Sequence, residues 1–473
     1  MKSSRLLLGF AFLTALVVAT GRAASPVTRP NLILVMADDL GAGELGCYGN
    51  VRHRTPNLDA LARTGVRFET AYTSPVCHPT RFTLMTGQYG FRTGVLNFSG
   101  KRGGPPRTHE GPDNITNHVT IGQVLKQAGY ATALAGKWQL SGAWPEVVRE
   151  TGFDEHCIWG YREHYSPEDR AKAQEAGINF RSRYWRPSIQ RNGRWVPTSA
   201  DDYGPDIFAG FLVDFIKRPR TGPFFIYYPM VLTHGPHLPT PDTYRPGMDR
   251  ERSNRAHFAS NVEYADKLIG RIVRALEEAG LRENTLILFT GDNGTGGEGK
   301  STATEKGARV PLIVNGPGLV KTRGGVAALA DTSDVFPTLM DLAGAVVPSN
   351  HVVDGRSLAP FLRGERETTR EWIFASQADR RILRTERWLL EDNSPRHPGR
   401  LFDCGTSRDG AGYRDVTASR EPEALAARAQ FERLLQDLPA PLLDNDGAPN
   451  QTNDPEAKRA KREEKRAGKM QQR

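Results

Sequence analysis

Four short apolar runs, each followed closely by polar or ionisable residues, constrain the fold of this chain more than any other feature. Their length and their branched and aromatic residues are typical of buried β-strands. Amphipathic helical patterns lie between them, most clearly over Asn261–Ala279. The runs are Asn31–Ala37, which ends in Asp38 and Asp39; Tyr130–Gly136, which ends in Lys137; Pro223–Met230, which leads to His234; and Thr285–Thr290, which ends before Asp292 and Asn293.

The alternation of strands and helices predicts an α/β fold with a large, mostly parallel or mixed sheet flanked by helices. Ligands of such sheets bind outside the carboxyl ends of the strands. We therefore expect the polar residues that follow the four runs to meet in one cleft. A polar residue after one strand is ordinary, but four such strand ends favour a functional site.

The length of 473 residues exceeds the usual size of one compact core. We predict a large N-terminal domain over residues 27–365 and a smaller α+β domain over 366–445, where the apolar segments are shorter and more antiparallel in character. A basic tail without fixed structure is expected over residues 446–473. The weak periodicity of residues 98–118 and 155–203 predicts surface loops.

The first 23 residues have the pattern of a cleavable secretory signal. Lys2 and Arg5 precede an apolar run that ends near Ala19, and small residues favour cleavage after Ala23. The run is too short for a membrane span. We expect a secreted or periplasmic protein without a stable membrane anchor.

The net charge of +9 does not indicate a nucleic-acid partner, because most of the excess lies in the two terminal segments. Without residues 1–23 and 454–473, the chain carries about +2. The basic tail is interpreted as a solvated extension, and a polyanion-binding arm is the alternative.

Asp38, Asp39, Asp292 and Asn293 offer only oxygen ligands at strand ends. Clustered carboxylates repel each other unless a cation lies among them, and an all-oxygen set selects calcium or magnesium over zinc. The alternative interpretation, for Asp38 or Asp292 considered singly, is that the carboxylate caps a helix instead of binding a metal.

Positively charged side chains and one histidine are expected around this metal, namely Arg81, Lys137, His234 and Lys300. Such a set suits a tetrahedral anion, phosphate or sulfate. Lys300 has the weakest signal, since a lysine in a glycine-rich loop is usually only solvated.

Cys77 is one of four cysteines, with Cys47, Cys157 and Cys404, which is too few for a dense disulfide framework although one disulfide is possible. A thiolate nucleophile at a helix N-terminus and a buried structural cysteine are both open interpretations of Cys77. Neither explains why Pro79 and Arg81 accompany it.

Residues 77–87, CHPTRFTLMTG, resemble the maturation motif of type I sulfatases, Cys-x-Pro-Ser/Thr/Ala-Arg followed by x-x-Leu-x-Thr-Gly. Residues 129–138 resemble the second motif of that family, Gly-Tyr-x-Thr-x-x-x-Gly-Lys-Trp. The resemblance extends from about Asn31 to Gly344 and implies an alkaline-phosphatase-like fold, with the sulfatase catalytic domain over 27–365.

The resemblance also implies the chemistry of the site. A maturation enzyme would oxidise Cys77 to formylglycine, whose hydrate attacks sulfur with one hydroxyl and expels sulfate by collapse of the other. The implied roles are calcium binding by Asp38, Asp39, Asp292, Asn293 and the modified Cys77; fixation of formylglycine by Arg81; contact with sulfate by Lys137 and Lys300; and protonation of the leaving alcohol by His234, whose unperturbed pKa is about 6.5.

Gln139 departs from the family pattern, which has histidine after Gly-Lys-Trp. The family assigns that histidine to drawing a proton from the second hydroxyl during sulfate release. Glutamine donates and accepts hydrogen bonds but is no base near neutral pH. We therefore expect slower release, or release through another base such as water or His78.

The leading prediction is an exported, calcium-dependent sulfatase acting on a sulfated carbohydrate or another sulfated small molecule. Residues 181–195, RSRYWRPSIQRNGRW, favour sugars, since Tyr184, Trp185 or Trp195 would stack on rings while arginines meet anionic groups. The alternatives are a phosphodiester or phosphonate monoester hydrolase of the same superfamily, and a sulfated-glycan-binding relative with impaired turnover.

Overall fold

The computed structural model describes residues 29–98 and 114–441. The predicted signal segment 1–23 and the basic tail 446–473 lie outside these residues. The strands are β1 (Asn31–Ala37), β2 (Val66–Tyr72), β3 (Ala131–Gly136), β4 (Glu155–Trp159), β5 (Ile189–Arg191), β6 (Arg194–Val196), β7 (Phe224–Pro229), β8 (Thr285–Gly291), β9 (Arg309–Asn315), β10 (Gly324–Asp331), β11 (Ile373–Gln377), β12 (Arg380–Arg384), β13 (Trp388–Asn393), β14 (Arg400–Asp403) and β15 (Arg414–Asp415).

The helices vary from single turns to a helix of 21 residues. They are α1 (Pro56–Thr64), α2 (Cys77–Thr86), α3 (Gly90–Thr93), α4 (Ile121–Gln127), α5 (Val147–Glu150), α6 (Pro167–Glu175), α7 (Gly204–Lys217), α8 (Phe258–Glu278), α9 (Glu305–Ala308), α10 (Val335–Ala343), α11 (Ala359–Leu362) and α12 (Pro422–Gln436). No helix within residues 29–98 or 114–441 is long and apolar enough to cross a membrane.

Ten of the described strands form one sheet, in the order β10-β2-β9-β8-β1-β7-β3-β4-β5-β6. The four strands predicted from the sequence are the neighbours β8, β1, β7 and β3, and they are mutually parallel. β9 is antiparallel to β2 and β8, while β5 and β6 add an antiparallel edge beyond β4. The mixed sheet therefore brings the four predicted strand ends to one edge.

Alternate side chains of β1 enter two separate cores, as the twofold repeat of a strand requires. Ile33 and Val35 pack on the side covered by α1, α7 and α8, whereas Leu32 and Leu34 pack on the side covered by α2, α4 and α10. Because both faces are covered, apolar residues predominate on both faces of the central strands, which is why these strands were recognisable as short continuous runs.

A second sheet, β11-β12-β13-β14-β15, is antiparallel throughout. Helix α12 packs on it through Ala427 and Phe431, which share a core with Leu383 and Leu401. This arrangement confirms the predicted fold class, a large flanked sheet with a smaller α+β unit. The predicted limits 27–365 and 366–445 remain predictions.

The stretch 155–203 differs from the loop expected there. It contains β4, α6, β5 and β6, three of which extend the large sheet. The strands β5 and β6 have three residues each, too short for a periodic pattern to be visible in the sequence.

Candidate active site

The parallel strands place the predicted residues side by side at the carboxyl edge of the sheet. Ala37 of β1 pairs with Gly291 of β8, so Asp38 and Asp292 leave the sheet at the same level. The backbone of Lys137, which follows β3, donates to the Pro229 carbonyl at the end of β7. Residues that are 99 to 253 positions apart in sequence therefore form one cluster.

Cys77 is the first residue of α2 and is buried. Val76 before it is extended, and Pro79 lies in the first turn, where a missing backbone N–H leaves no helical bond unmade. The helix closes at Gly87, whose φ of 70° suits glycine. Arg81 follows Cys77 by four residues, so both side chains occupy the same face of α2.

Arg81 is fully buried and joins α2 to the sheet edge. Its Nη2 and Nε donate to Asp292 Oδ2 at 2.6 and 3.2 Å, and its Nη1 donates to the Lys137 carbonyl at 3.0 Å. Burial alone would lower the pKa of Arg81, but Asp292 and Asp38 raise it above its usual value. The guanidinium is therefore charged and held in one orientation.

The two lysines each pair with one aspartate of the pair that follows β1. Lys137 Nζ lies 2.8 Å from both carboxylate oxygens of Asp38, and Lys300 Nζ lies 2.5 Å from Asp39 Oδ1. Burial raises the pKa of both aspartates, but these cations outweigh burial and hold both pKa values below the ordinary range. Lys300 is thus a member of the cluster and not merely a solvated loop lysine.

The pKa values of Asp292 and His234 are shifted toward the neutral form of each side chain, in contrast to those of Asp38 and Asp39. Burial, and then the charge of Asp38, raise the pKa of Asp292 to about 7, against the influence of Arg81. Burial lowers the pKa of His234, although Asp39 and Asp38 oppose this. The unperturbed pKa expected for His234 from the sequence therefore does not apply to this ring in the cleft.

The oxygen atoms of the cluster fit a hard divalent cation. Ligand atoms of Asp38, Asp39 and His234 lie within 4.8 Å of one another. Asn293 donates from Nδ2 to Asp39 Oδ1 at 2.9 Å, while its own Oδ1 is buried without a hydrogen-bond partner. The Asp39 N–H donates to Asp292 Oδ1 at 2.9 Å. A buried amide oxygen among three carboxylates is the donor chemistry that calcium takes.

A cavity of about 1180 Å³ opens over this cluster. Cys77, Asp39 and Lys137 lie on its wall, together with His234 and Lys300. The site is therefore a polar, positively lined cleft with the helix-start cysteine beside the carboxylates.

The sulfatase family model matches residues 30–345, two thirds of the chain. The chain belongs to the sulfatase family. Arylsulfatase D of Homo sapiens is 30% identical over 447 aligned residues, which cover 77% of this chain and 73% of that protein. N-acetylgalactosamine-6-sulfatase of Canis lupus familiaris is 31% identical, covering 78% of this chain and 73% of its own.

Solved structures agree with this assignment. The crystal structure of Ps i-CgsB has a TM-score of 0.71 and 26% identity, covering 86% of this chain and 93% of that one. A second structure, Ps i-CgsB in complex with k-i-k-neocarrahexaose, has a TM-score of 0.70 and 25% identity. The chain is thus a sulfatase enzyme with the alkaline-phosphatase-like fold of its family.

Gln139 of this sulfatase lies in the wall of the cavity, as its place in the second motif requires. It is buried, its φ is 54°, and its Oε1 has no hydrogen-bond partner. His78, considered as a substitute base, is fully buried beside the rings of Phe82 and Phe98. His237 is half-buried at the cavity wall, where its Nε2 accepts from Arg255.

The expected stacking of Tyr184, Trp185 or Trp195 on sugar rings remains a prediction. Tyr184 and Trp185 are buried, and their polar atoms donate to the backbone carbonyls of Val231 and Pro239. They support the segment after β7 that carries His234, and Trp185 also lines the cavity.

Arg183 was not predicted from the sequence as an individual site residue. Its Nη2 lies 3.0 Å from His234 Nδ1, and the residue lines the cavity with Trp159. The arginine-rich composition of this stretch predicted contacts with anionic groups, but only the tertiary structure shows which arginine lies beside His234. All four cysteines lie in the described residues, and each is a free thiol.

Proposed function

We propose that this sulfatase hydrolyses sulfate esters of a sulfated carbohydrate, with a formylglycine made from Cys77 and a calcium ion at the sheet edge. One observation carries the proposal: Cys77, Asp39, Lys137, His234 and Lys300 all line the same cavity. A tetrahedral anion placed there meets the modified side chain, two ammonium groups and an imidazole at once.

The charge balance of the cluster favours a bound metal. Asp38, Asp39 and Asp292 carry three negative charges, which Arg81, Lys137 and Lys300 neutralise. These six paired groups alone attract a sulfate monoanion weakly, whereas a divalent cation among them makes this part of the cleft positive. Asp38, Asp39, Asp292 and Asn293 would hold the calcium ion, whose charge orients and stabilises the sulfate oxygens.

The lysines retain donors for the substrate. Each ammonium has three N–H groups. Lys137 uses two on the oxygens of Asp38, and Lys300 donates to Asp39 Oδ1. The remaining donors lie in a buried setting, where hydrogen bonds to an anion are stronger than in water. We assign both lysines to the sulfate oxygens.

Arg81 and His234 have different roles in the proposed reaction. Arg81 lies one helical turn from Cys77 and is held by Asp292, so it positions residue 77. Formylglycine at residue 77 supplies, as its hydrate, one hydroxyl for attack on sulfur and a second whose collapse releases sulfate. His234 is assigned to the proton of the leaving alcohol, since it lines the cavity with 30% of its side chain exposed. Because burial lowers its pKa, this role requires that the charge of the bound sulfate raise that pKa again.

The size of the cleft supports a carbohydrate. A volume of about 1180 Å³ exceeds the few hundred Å³ that one small aryl sulfate needs. Ps i-CgsB, at 25% identity, was solved with a hexaose, and the canine relative is named for a sulfated aminosugar. We propose that the enzyme is exported through its first 23 residues and acts in the periplasm or outside the cell.

The test combines peptide mass and turnover. The protein is expressed beside a formylglycine-generating enzyme, and the peptide spanning residue 77 is weighed. We expect an aldehyde in place of the thiol, and release of sulfate from at least one sulfated saccharide in a screen. An aryl phosphodiester is included to exclude the phosphoryl alternative.

Cys77→Ala is expected to abolish sulfate release, whereas the matched variant Cys47→Ala, altered at a half-buried cysteine outside the cavity, retains it. Active enzyme that carries an unmodified thiol at residue 77 would refute the proposed chemistry. Faster hydrolysis of the phosphodiester than of every sulfate ester would refute the assigned substrate class.

A further inference from the structure

Arg183 is a buried cation without an acidic partner in the wall of the cavity. The residue is only 7% exposed. Its Nη2 donates to the Gly235 carbonyl and lies 3.0 Å from His234 Nδ1, and its Nε is buried without a hydrogen-bond partner. Among the residues that the structure describes, no carboxylate forms an ion pair with it.

Three other cations of the same cavity are paired with carboxylates. Lys137 is bound to Asp38, Lys300 to Asp39, and Arg255 to Glu298 at 3.3 Å. A buried charge without a counter-charge is costly to the folded state. Arg183 is therefore a buried cation of this wall whose charge an external anion would neutralise.

The guanidinium is also held in place before any ligand arrives. Its carbon lies 4.5 Å from the centre of the Trp159 ring, and that ring is itself buried. Stacking and the two contacts to residues 234 and 235 restrict its rotation. A planar, oriented fork of donors matches the geometry of a sulfate or carboxylate group better than a flexible ammonium does.

We propose that Arg183 binds a second anionic group of the substrate, so that the natural substrate is a saccharide with at least two anionic groups. This inference rests on the proposed function, because it deepens the identity of the saccharide. Only the imidazole of His234 separates Arg183 from Asp39, with Nδ1 facing Arg183 and Nε2 3.8 Å from Asp39 Oδ2. The second anion therefore belongs to the sugar that bears the scissile sulfate or to its direct neighbour.

The two sources of the anion, a second sulfate and a uronic-acid carboxylate, have the same chemistry toward an arginine. The flanking residues Arg181 and Arg186 are exposed and also line the cavity. They extend the positive surface from Arg183 toward solvent, as an anionic saccharide longer than one ring requires.

Binding to the Cys77→Ala protein tests the inference without turnover. The probes are matched disaccharides of the chondroitin, heparan and carrageenan series, with one sulfate, with two sulfates, and with one sulfate beside a uronate. Isothermal titration calorimetry should show that the second anion strengthens binding about tenfold or more, the effect of one charged hydrogen-bonded contact. The probe that binds more tightly, with a second sulfate or with a uronate, identifies which anionic group Arg183 binds.

Arg183→Gln in the same background should abolish this gain, and Arg183→Lys should retain part of it. Arg255→Gln is the matched control: Arg255 lines the same cavity but is paired with Glu298, so the gain should persist. Thermal midpoints establish that each variant is folded. If Arg183→Gln is not folded, Arg183→Lys replaces it in the binding comparison.

The inference is wrong if the second anion gives no gain, if the gain persists in both Arg183 variants, or if no probe binds. These results differ from failure of the proposed function, which would be an absence of sulfate release by the matured wild-type enzyme. A gain in binding without turnover would support the subsite and reject the hydrolytic assignment.

Discussion

Replacement of Arg81 by methionine tests how the sheet edge is held together. Arg81 is fully buried, and two of its donors bind Asp292 while a third binds the Lys137 carbonyl. Methionine fills a similar volume but donates nothing, so Asp292 becomes a buried carboxylate beside Asp38 without its nearest cation. Loss of one partner from a buried ion pair costs about 3–5 kcal/mol of unfolding free energy.

A second substitution separates charge from packing. In the double variant Arg81→Met, Asp292→Asn, residue 292 is neutral, and its Oδ1 still accepts from the Asp39 N–H, as in the wild type. Only neutral groups then lack partners, at a cost of about 1–3 kcal/mol. We therefore expect the double variant to be about 2 kcal/mol more stable than Arg81→Met alone, although both lose sulfatase activity.

Urea unfolding, followed by tryptophan fluorescence with a chelator present, measures this difference on the chain alone. Arg54→Met is the control, because Arg54 pairs with Glu263 with 87% of its side chain exposed, and such pairs contribute about 0–1 kcal/mol. A loss below about 1 kcal/mol in Arg81→Met, or no recovery in the double variant, would show that the charge argument is incorrect.

Three further outcomes follow from the structure. Gln139→His places an ionisable base at the cavity wall, so it should raise turnover by accelerating sulfate release. Faster release would be seen as a smaller pre-steady-state burst. Lower turnover in a folded variant would contradict this expectation. Calcium at 100 times its dissociation constant should add about 2.7 kcal/mol to the unfolding free energy of the wild type. The same calcium concentration should add less to Asn293→Ala, which lacks one oxygen donor. A wild-type unfolding free energy that does not depend on calcium would count against the metal site. Hydrogen bonds from Arg387, and then Arg414, hold the pKa of Asp403 below its usual range, so its contribution is present at neutral pH and is lost as pH falls below about 4 toward the folded-state pKa. Asp403→Asn should therefore lower the free energy of unfolding by about 1 kcal/mol at pH 7. The difference in unfolding free energy between this variant and the wild type should become smaller in acid. A difference that does not change with pH would exclude this linkage.

The central strands could be predicted because their signal is local. Asn31–Ala37 was located with its true bounds, and Thr285–Thr290 differed from β8 by one residue. Both strands are buried on two faces, so their central positions are continuously apolar and the run ends where the cleft begins. The sequence motif around Cys77 likewise lies on one short helix, whose i and i+4 positions place residues 77 and 81 on one face.

The pairings within the site depend on tertiary structure. Arg81 meets Asp292 across 211 residues, and Lys300 meets Asp39 across 261. No local pattern encodes such contacts, because they follow from the order in which strands enter the sheet. The contact of Arg183 with His234 and the burial of Tyr184 are of the same kind.

By itself, the sequence determined which residues take part: the apolar runs, the polar residues after them, and the cysteine motif that identifies a sulfatase. Tertiary structure alone decided which partner each charge has, since pairing depends on strand order and on the docking of α2 against the sheet edge. It also decided that Arg183 is a buried cation without a carboxylate among the described residues, because burial is a property of the packed chain and not of any short segment.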